Sequence, residues 1–124
     1  MEPIHDKWDA QLRKGTLELV LLAALDQREL YGLELLKLLH SFETMQITEG
    51  TLYPLLDRLK REGLVDAKWV QEGEVRPRKY YRLTTLGEQR LAAMANHWRR
   101  SVSDIEVLLQ NVGPNQTPKT RKIK

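Results

Sequence analysis

The chain has 124 residues, 41% hydrophobic and 30% charged, which is enough for one domain with a genuine core and one appended element. Its longest apolar run, residues 19–25, is too short to cross a bilayer, and the N-terminus lacks the apolar stretch of a secretory signal. Because there is no cysteine, a disulfide framework and a thiolate metal site are excluded, and the composition fits a reducing cytoplasm.

The net charge of +3 says less about partners than the placement of the charges does. Residues 113–124 contribute four cations and no acid, so removing those four from +3 leaves the rest of the chain near −1. Steering of a charged partner depends on a local patch rather than on a sum. The cluster of Arg76, Arg78, Lys79 and Arg82 therefore points to a polyanionic partner better than the basic pI does.

The first half of the chain predicts an arm followed by two helices. Residues 1–14 are expected to form a short arm whose only large apolar anchors are Trp8 and Leu12. Thr16 is a candidate N-cap for a helix with one apolar face, made by Leu17, Val20, Leu21, Ala24 and Leu25. After a polar break at residues 26–30, a second helix from about Tyr31 repeats that spacing with Leu35, Leu38, Leu39 and Phe42.

A third helix is predicted after a turn at residues 41–47, with Thr48 as its cap. Its buried side carries Leu52, Leu55, Leu56 and Leu59, and Gly63 ends it. Pro54 conflicts with this assignment, because a proline in a helix interior costs about 3 kcal/mol. We expect it to be tolerated near the first turn, where several amide donors have no partner within the helix.

The following residues predict a β-hairpin. Residues 64–71 alternate, which places Val65, Ala67 and Trp69 on one side and Asp66 and Lys68 on the other. A loop with Gly73 and Pro77 leads to a second strand at residues 79–83, where Tyr81 and Leu83 should face inward and Tyr80 and Arg82 outward. Three short helices and a hairpin give a mainly α fold with a small β-hairpin, the order of a winged helix-turn-helix.

A long helix is predicted at about residues 85–110, capped by Thr84. Some 25 residues extend about 38 Å, more than the width of a three-helix core. Its far half is therefore expected to pair with the same helix of a second chain. The predicted dimerisation residues are Leu91, Met94, Val102, Ile105, Leu108 and Leu109. The predicted plan is an arm (1–14), a winged-helix domain (15–84), a dimerisation helix (85–112) and a disordered basic tail (113–124).

A helix with a polar face beside a basic two-stranded wing is how a winged helix meets a duplex. The predicted DNA contacts are Thr48, Glu49, Thr51, Tyr53, Arg58 and Arg61 on the third helix, with Arg76, Arg78 and Lys79 on the wing. Glu49 is explained more simply by the dipole of the helix than by contact with a base. The alternatives are an ordinary solvated face and a solubilising turn.

Three segments resemble the PadR family of bacterial transcriptional regulators. They are KGTLEL at residues 14–19 with LYG at 30–32, TEGTLYP at 48–54 with EGL at 62–64, and RKYYRLT at 78–84 with Gly87. The resemblance implies a dimeric winged-helix protein, usually a repressor, on an inverted-repeat operator. It also implies one long C-terminal helix that completes the dimer.

The resemblance also bears on Trp98, because small-molecule-responsive relatives use an aromatic at this helix position to line a cavity between subunits. Trp98, joined by Trp8, could hold a small aromatic effector there, and a plain core position is the alternative.

Several classes of function find no support. His5, His40 and His97 lack the spacing of a metal site, and no nucleophile–base pair or phosphate loop is present, so no cofactor, metal or enzymatic activity is expected. A winged-helix module that binds protein without an operator remains an alternative, although an interface for protein would offer apolar anchors rather than Arg61, Arg78 and Lys79. A ligand carrier or sensor that does not bind DNA is a third and weaker alternative.

Overall fold

The computed structural model describes residues 3–113 and, in order, contains α1 (Pro3–Ala24), β1 (Leu30–Tyr31), α2 (Gly32–His40), α3 (Glu49–Arg61), β2 (Val65–Val70), β3 (Arg78–Leu83) and α4 (Thr85–Leu108). The sheet is antiparallel, with β3 between β1 and β2. A mainly helical chain with a small sheet confirms the predicted fold class. The two-residue strand β1 was not predicted; it exists because Leu30 and Tyr31 pair with Tyr81 and Tyr80 on the otherwise unpaired edge of β3.

The first helix is longer than the sequence suggested. It runs without a break through Thr16, so the prediction that Thr16 caps it was wrong. The Thr16 hydroxyl instead donates to the carbonyl oxygen of Leu12 at 2.8 Å, a bond that satisfies a threonine inside a helix. The predicted arm and the first helix are one element, whose C-terminal half is buried while Trp8 and Leu12 stay exposed.

A cluster of leucines from α1, α2 and α3 forms the core, with the start of β2 and Tyr81 of β3 closing it. The fully buried members include Leu21, Leu25, Leu35, Leu39, Leu52, Leu56, Leu59 and Leu64. The predicted stripe of α2 ends early. Ser41 is its C-cap, and Phe42 therefore lies outside the helix with 55% of its surface exposed rather than buried.

The end of α3 has the geometry that Gly63 predicts. Gly63 has φ +78°, its N–H donates to the carbonyl of Lys60 at 3.0 Å, and the Leu64 N–H donates to that of Leu59 at 2.9 Å. This is a Schellman motif, and it turns Leu64 directly into the core. At the other end Thr48 is the N-cap by position, but its side chain makes no capping hydrogen bond. Pro54 lies in the second turn of α3, not the first as expected.

The wing differs from the prediction at one important residue. Val65 is buried and Ala67 half-buried, as the alternation indicated, but Trp69 is 69% exposed. Trp69 pairs with Lys79 near the wing tip, beyond the part of β2 that covers the core. In β3, Tyr81 is buried and Arg82 exposed as predicted, whereas Tyr80 is half-buried because its ring packs edge-on against Tyr31, with centroids 5.4 Å apart.

Two close contacts fix the start of α4. The Thr84 hydroxyl accepts the Gly87 N–H at 3.0 Å, which confirms it as the N-cap, and donates to the Gly63 carbonyl at 2.6 Å. Gly87 lies against the backbone of Leu64, where a Cβ atom would find no room. Further along, Leu91 and Met94 pack on the core, but Ile105 and Leu108 are exposed. No helix within residues 3–113 is long and apolar enough to span a membrane, and the predicted tail lies almost wholly outside the described residues.

Candidate nucleic-acid interface

The start of α3 presents the side chains that were predicted to enter a groove. Thr48, Glu49 and Thr51 are exposed, and the two threonine hydroxyls lie 3.4 Å apart. Tyr53 is 37% exposed because one side of its ring covers Gly32 at the start of α2. Its hydroxyl edge therefore lies where α3 meets the first residue of α2.

The two arginines of α3 differ in their surroundings. Arg58 donates to Glu18 at 3.1 Å and to Glu62 at 2.9 Å, and these bonds, with Glu62 first, raise the pKa of its guanidinium above the ordinary value. Its positive charge is thus paired with two carboxylates within the chain, although 42% of its side chain stays exposed. Arg61 is exposed and forms no ion pair in the part of the chain that the structure describes. We therefore expect Arg61 to be the stronger phosphate contact of the pair.

The basic residues of the wing point to opposite faces of the sheet. The Arg78 guanidinium lies over the Tyr31 ring, 4.6 Å from its centroid, whereas the Lys79 ammonium lies 5.7 Å from the centroid of Tyr81. Cations above aromatic rings are attracted to them, so the rings favour these positions of the two side chains, and more strongly for Arg78 because it is closer. Arg76, nearer the tip, is exposed.

Arg82, predicted to belong to the same basic cluster, is partly neutralised by neighbouring acids. Its guanidinium lies 3.8 Å from Glu29 and 4.0 Å from Asp66, and Lys68 lies 3.5 Å from Glu29. These ion pairs connect the turn before β1 to the wing. The unpaired positive charge of the wing therefore concentrates toward Arg76, Arg78 and Lys79.

An open cleft of about 530 Å³ lies between the wing and the first two-thirds of α3. Its walls combine aromatic rings, cations and one carboxylate: Tyr31, Gly32, Leu33, Tyr53, Asp57, Trp69, Pro77, Arg78, Lys79 and Tyr81. Burial, followed by the Asp57 carboxylate and Tyr53, raises the pKa of Tyr81 at its base. Trp69 was missed as a site residue because alternation assigned it to the core. Its pairing with Lys79 would have been the signal that it lies near the wing tip.

The predicted dimerisation residues fall into two groups. Leu91 and Met94 are half-buried against the core of their own chain, and Val102 is half-buried. In contrast, Ile105 is 51%, Leu108 82% and Leu109 44% exposed. The second group forms an apolar surface on the end of α4 that extends beyond the winged core.

Trp98 lies at the border between these groups, with 42% of its surface exposed. It lines an open cavity of about 400 Å³ between α1 and α4, together with Leu19, Ala23, Asp26, Leu91, Ala95 and Arg99. Trp8, 60% exposed on α1, is not among the described residues that line this cavity.

The two histidines whose side chains the structure describes, His40 and His97, do not form a metal site. Among the side chains of residues 6–113, no three histidine and acidic groups come close enough to hold a metal ion. The His40 ring instead lies 2.7 Å from the carbonyl oxygen of Ile47, and the His97 ring 2.9 Å from Arg100.

Comparison with known proteins identifies relatives of the whole arrangement. Residues 21–93 match the model of the transcriptional regulator PadR-like family. A PadR-family transcriptional regulator from Eggerthella lenta is 34% identical and superposes with a TM-score of 0.76, covering 86% of this chain and 93% of that one. A PadR-like transcriptional regulator from Bacillus cereus is 33% identical with a TM-score of 0.75, covering 81% and 97%. An uncharacterised protein from Lysinibacillus sphaericus is 26% identical over 101 residues, 80% of this chain and 93% of its own.

Proposed function

This chain belongs to the PadR-like family of transcriptional regulators, which are not enzymes, and from that premise we propose that it is a repressor that binds an inverted-repeat operator as a homodimer. In this proposal α3 enters the major groove and the wing contacts the adjacent backbone. Since bacterial DNA lies in the cytoplasm, we expect the protein to work there.

The cleft between α3 and the wing is the observation that carries this proposal. Arg78 and Lys79 line the cleft together with Tyr53 and Trp69, and Arg61 is exposed on α3 four residues after Asp57, which also lines the cleft. A sugar–phosphate backbone alternates anionic and apolar groups, and cations beside aromatic rings match that alternation. The exposed hydroxyls at the start of α3 add donors for phosphate or base edges.

The end of α4 supports the dimer. Its exposed side chains Ile105, Leu108 and Leu109 form a contiguous apolar surface on a helix, which monomeric proteins seldom leave open to water. A second copy of the same surface, related by a two-fold axis, would bury it. Two recognition helices related in this way must lie about one duplex turn apart, roughly 34 Å, to bind two half-sites.

A small aromatic effector could act on that separation. A Trp98 near the two-fold axis would face its copy, and two indole rings offer flat apolar walls with one donor each. A ligand between them would change DNA affinity only if it bound the two dimer arrangements with different affinity. Within one chain, Trp98 is partly exposed and borders an open cavity between α1 and α4, so one face of its indole is accessible to a ligand.

The test is binding of the purified protein to the DNA upstream of its own gene, with and without planar aromatic compounds. We expect nanomolar to tens-of-nanomolar binding to an inverted repeat at physiological salt, and weaker, strongly salt-dependent binding to unrelated DNA. Binding that never exceeds the non-specific level on any upstream fragment would contradict the operator and favour the protein-interaction alternative.

A further inference from the structure

A single, largely shielded carboxylate contacts two arginines on different helices. Glu18, on α1, is 80% shielded from solvent, with its side chain only 20% exposed. Its Oε1 accepts from Arg58 of α3 at 3.1 Å, and its Oε2 accepts from Arg90 of α4 at 3.1 Å. Each carboxylate oxygen of Glu18 therefore accepts a hydrogen bond from a different helix.

The group continues to the end of α3. The second guanidinium nitrogen of Arg58 donates to Glu62, the C-cap of α3, at 2.9 Å. Two carboxylates and two guanidiniums thus form a chain of ion pairs with no net charge. Glu18 thus connects α3 to α4 through Arg58 and Arg90, in addition to the direct bond at the helix ends, where the Thr84 hydroxyl of the α4 N-cap donates to the Gly63 carbonyl just after α3 at 2.6 Å.

The two connected helices have different tasks in the function proposed above. α3 presents Tyr53 and Arg61 toward DNA, and α4 carries the apolar surface of Ile105 and Leu108 toward a second chain. A change in the direction of α3 relative to α4 would alter the separation of the two recognition helices in a dimer. That separation must match the spacing of the half-sites.

We infer that Glu18 is a positioning residue: its carboxylate holds Arg58 and Arg90 together and so fixes the recognition helix relative to the dimerisation helix. This inference rests on the proposed dimeric DNA-binding function and deepens it. The geometry requires a carboxylate, because an amide has one acceptor oxygen and would turn its NH₂ donors toward one of the guanidiniums. Arg58 was predicted from the sequence to contact DNA. In this inference it instead affects DNA binding indirectly, by helping to orient α3.

The chain provides a matched control in Glu29. This glutamate also meets two cations, Lys68 and Arg82, at 3.5 and 3.8 Å, and is itself partly exposed. Its contacts link the turn before β1 to the wing and do not involve α4. Glu18→Gln and Glu29→Gln therefore remove the same charge from two different two-cation sites.

The direct experiment measures the distance between the two recognition helices in the free dimer. Because the chain has no cysteine, Lys60→Cys on α3 places one spin label in each protomer. We expect double electron–electron resonance to give a single narrow distribution of label-to-label distances for the labelled parent protein and for its Glu29→Gln variant. Glu18→Gln should broaden it or move its centre by several ångströms.

Binding to DNA is the second measurement. We expect Glu18→Gln to bind the full inverted repeat about tenfold more weakly while its affinity for a single half-site stays within about twofold, since each α3 remains intact. A merely stabilising role would lower the melting temperature without changing this ratio. Arg90→Gln, which leaves the Arg58–Glu18–Glu62 pairs in place, repeats the test should Glu18→Gln fail to fold.

The outcomes separate the inference from the function on which it rests. An unchanged distance distribution together with an unchanged ratio of full-site to half-site affinity would overturn the role of Glu18 alone. A parent protein without any dipolar coupling between labels would contradict the dimer, and the inference with it.

Discussion

The ring of Tyr53 on α3 lies directly on the backbone of Gly32, the first residue of α2. A Cβ atom added to Gly32 would come within 2.6 Å of the Tyr53 Cε1 atom, well inside a normal contact. Gly32 is buried, whereas Tyr53 is partly exposed at the border of the candidate DNA cleft. The absence of a side chain at one residue therefore sets the position of an aromatic ring at the proposed interface.

We first predict that Gly32→Ala displaces the Tyr53 ring. A partly exposed ring can swing away, so the loss in the free energy of unfolding should be modest, about 1 kcal/mol, at the low end for overpacking. Binding to the operator should also weaken, because the ring moves into the cleft. Chemical denaturation at one fixed protein concentration and a DNA titration measure the two effects.

Gly15→Ala is the matched control, since Gly15 lies in α1 with nothing within 4 Å of an added Cβ. It should stabilise the protein by about 0.5–1 kcal/mol, the ordinary gain for alanine in a helix. Combining Gly32→Ala with Tyr53→Ala should cost less than the two single changes added together. Strict additivity of the two would mean that the contact does not matter.

Our second prediction concerns the DNA face. Arg61→Ala and Arg78→Ala should each weaken operator binding by roughly tenfold, about 1.4 kcal/mol. Each should also lower the salt slope by about one unit, because one fewer counterion is released. Titrations at several salt concentrations test this, with Arg100→Ala on α4 as a control that removes a cation away from the interface. Unchanged affinity and slope in both variants would remove the present DNA face.

The third prediction is that the homodimer depends on the end of α4. Ile105 and Leu108 are exposed in one chain, so aspartates at these two sites would cost a monomer little, but they would bury unpaired charge in a dimer. Ile105→Asp with Leu108→Asp should give monomers or insoluble protein in sizing with light scattering. Ser103→Asp, on another face of the same helix, should leave the dimer intact. A soluble dimer of the double variant would show that the interface lies elsewhere.

Fourth, Trp98 should report the binding of planar aromatic compounds. With Trp8→Phe and Trp69→Phe in place, fluorescence comes from Trp98 alone, and a ligand stacked on the indole should quench or shift it. In the otherwise unchanged protein, Trp98→Ala should abolish the effect of the ligand on DNA binding. If no compound perturbs the signal and Trp98→Ala responds to an inducer normally, Trp98 only packs against α1.

The fifth prediction concerns alkaline pH. Burial raises the pKa of Tyr81 above its ordinary value of 10.0, so its phenol loses a proton more readily in the unfolded chain than in the folded one. The contribution of the protonated Tyr81 phenol to the free energy of unfolding is complete below pH 10. It is lost as the pH rises from there through the raised pKa of the folded state, by at most about 1.4 kcal/mol per pH unit. Denaturation between pH 9 and 11 should show a steeper loss for the parent protein than for Tyr81→Phe. Equal slopes would contradict the assignment.

The helix ends and the hairpin could be predicted because their signals are local. Gly63 adopts the left-handed conformation that a helix C-terminus favours, and Thr84 caps the next helix with its own hydroxyl. The leucine spacing of α3 likewise specifies one buried face wherever the helix packs. The prediction for Thr16 was wrong because a local signal can be ambiguous. A threonine that can cap a helix can also lie inside a helix, where its hydroxyl donates to a carbonyl of the preceding turn.

The candidate DNA face was predictable only in part. Arg61 and Arg78 could be placed from the helix wheel and the basic hairpin, since exposure follows from those two patterns. The partner of Arg58 could not, because Glu18 is 40 residues away and meets it only when the fold brings the two side chains together. Trp69 fits the alternation of a half-buried strand, and only the length of β2 beyond the core leaves it exposed.

By itself, then, the sequence determined the segments that become the four helices and the two strands of the hairpin, because residue period, caps and glycines act within a few residues. It also determined the family to which these segments point. The tertiary structure alone decided the pairing of β1 with β3, the contact of Tyr53 with Gly32 and the pairing of Glu18 with two arginines. These contacts join residues far apart along the chain. Their energies depend on how whole elements pack, which no local pattern encodes.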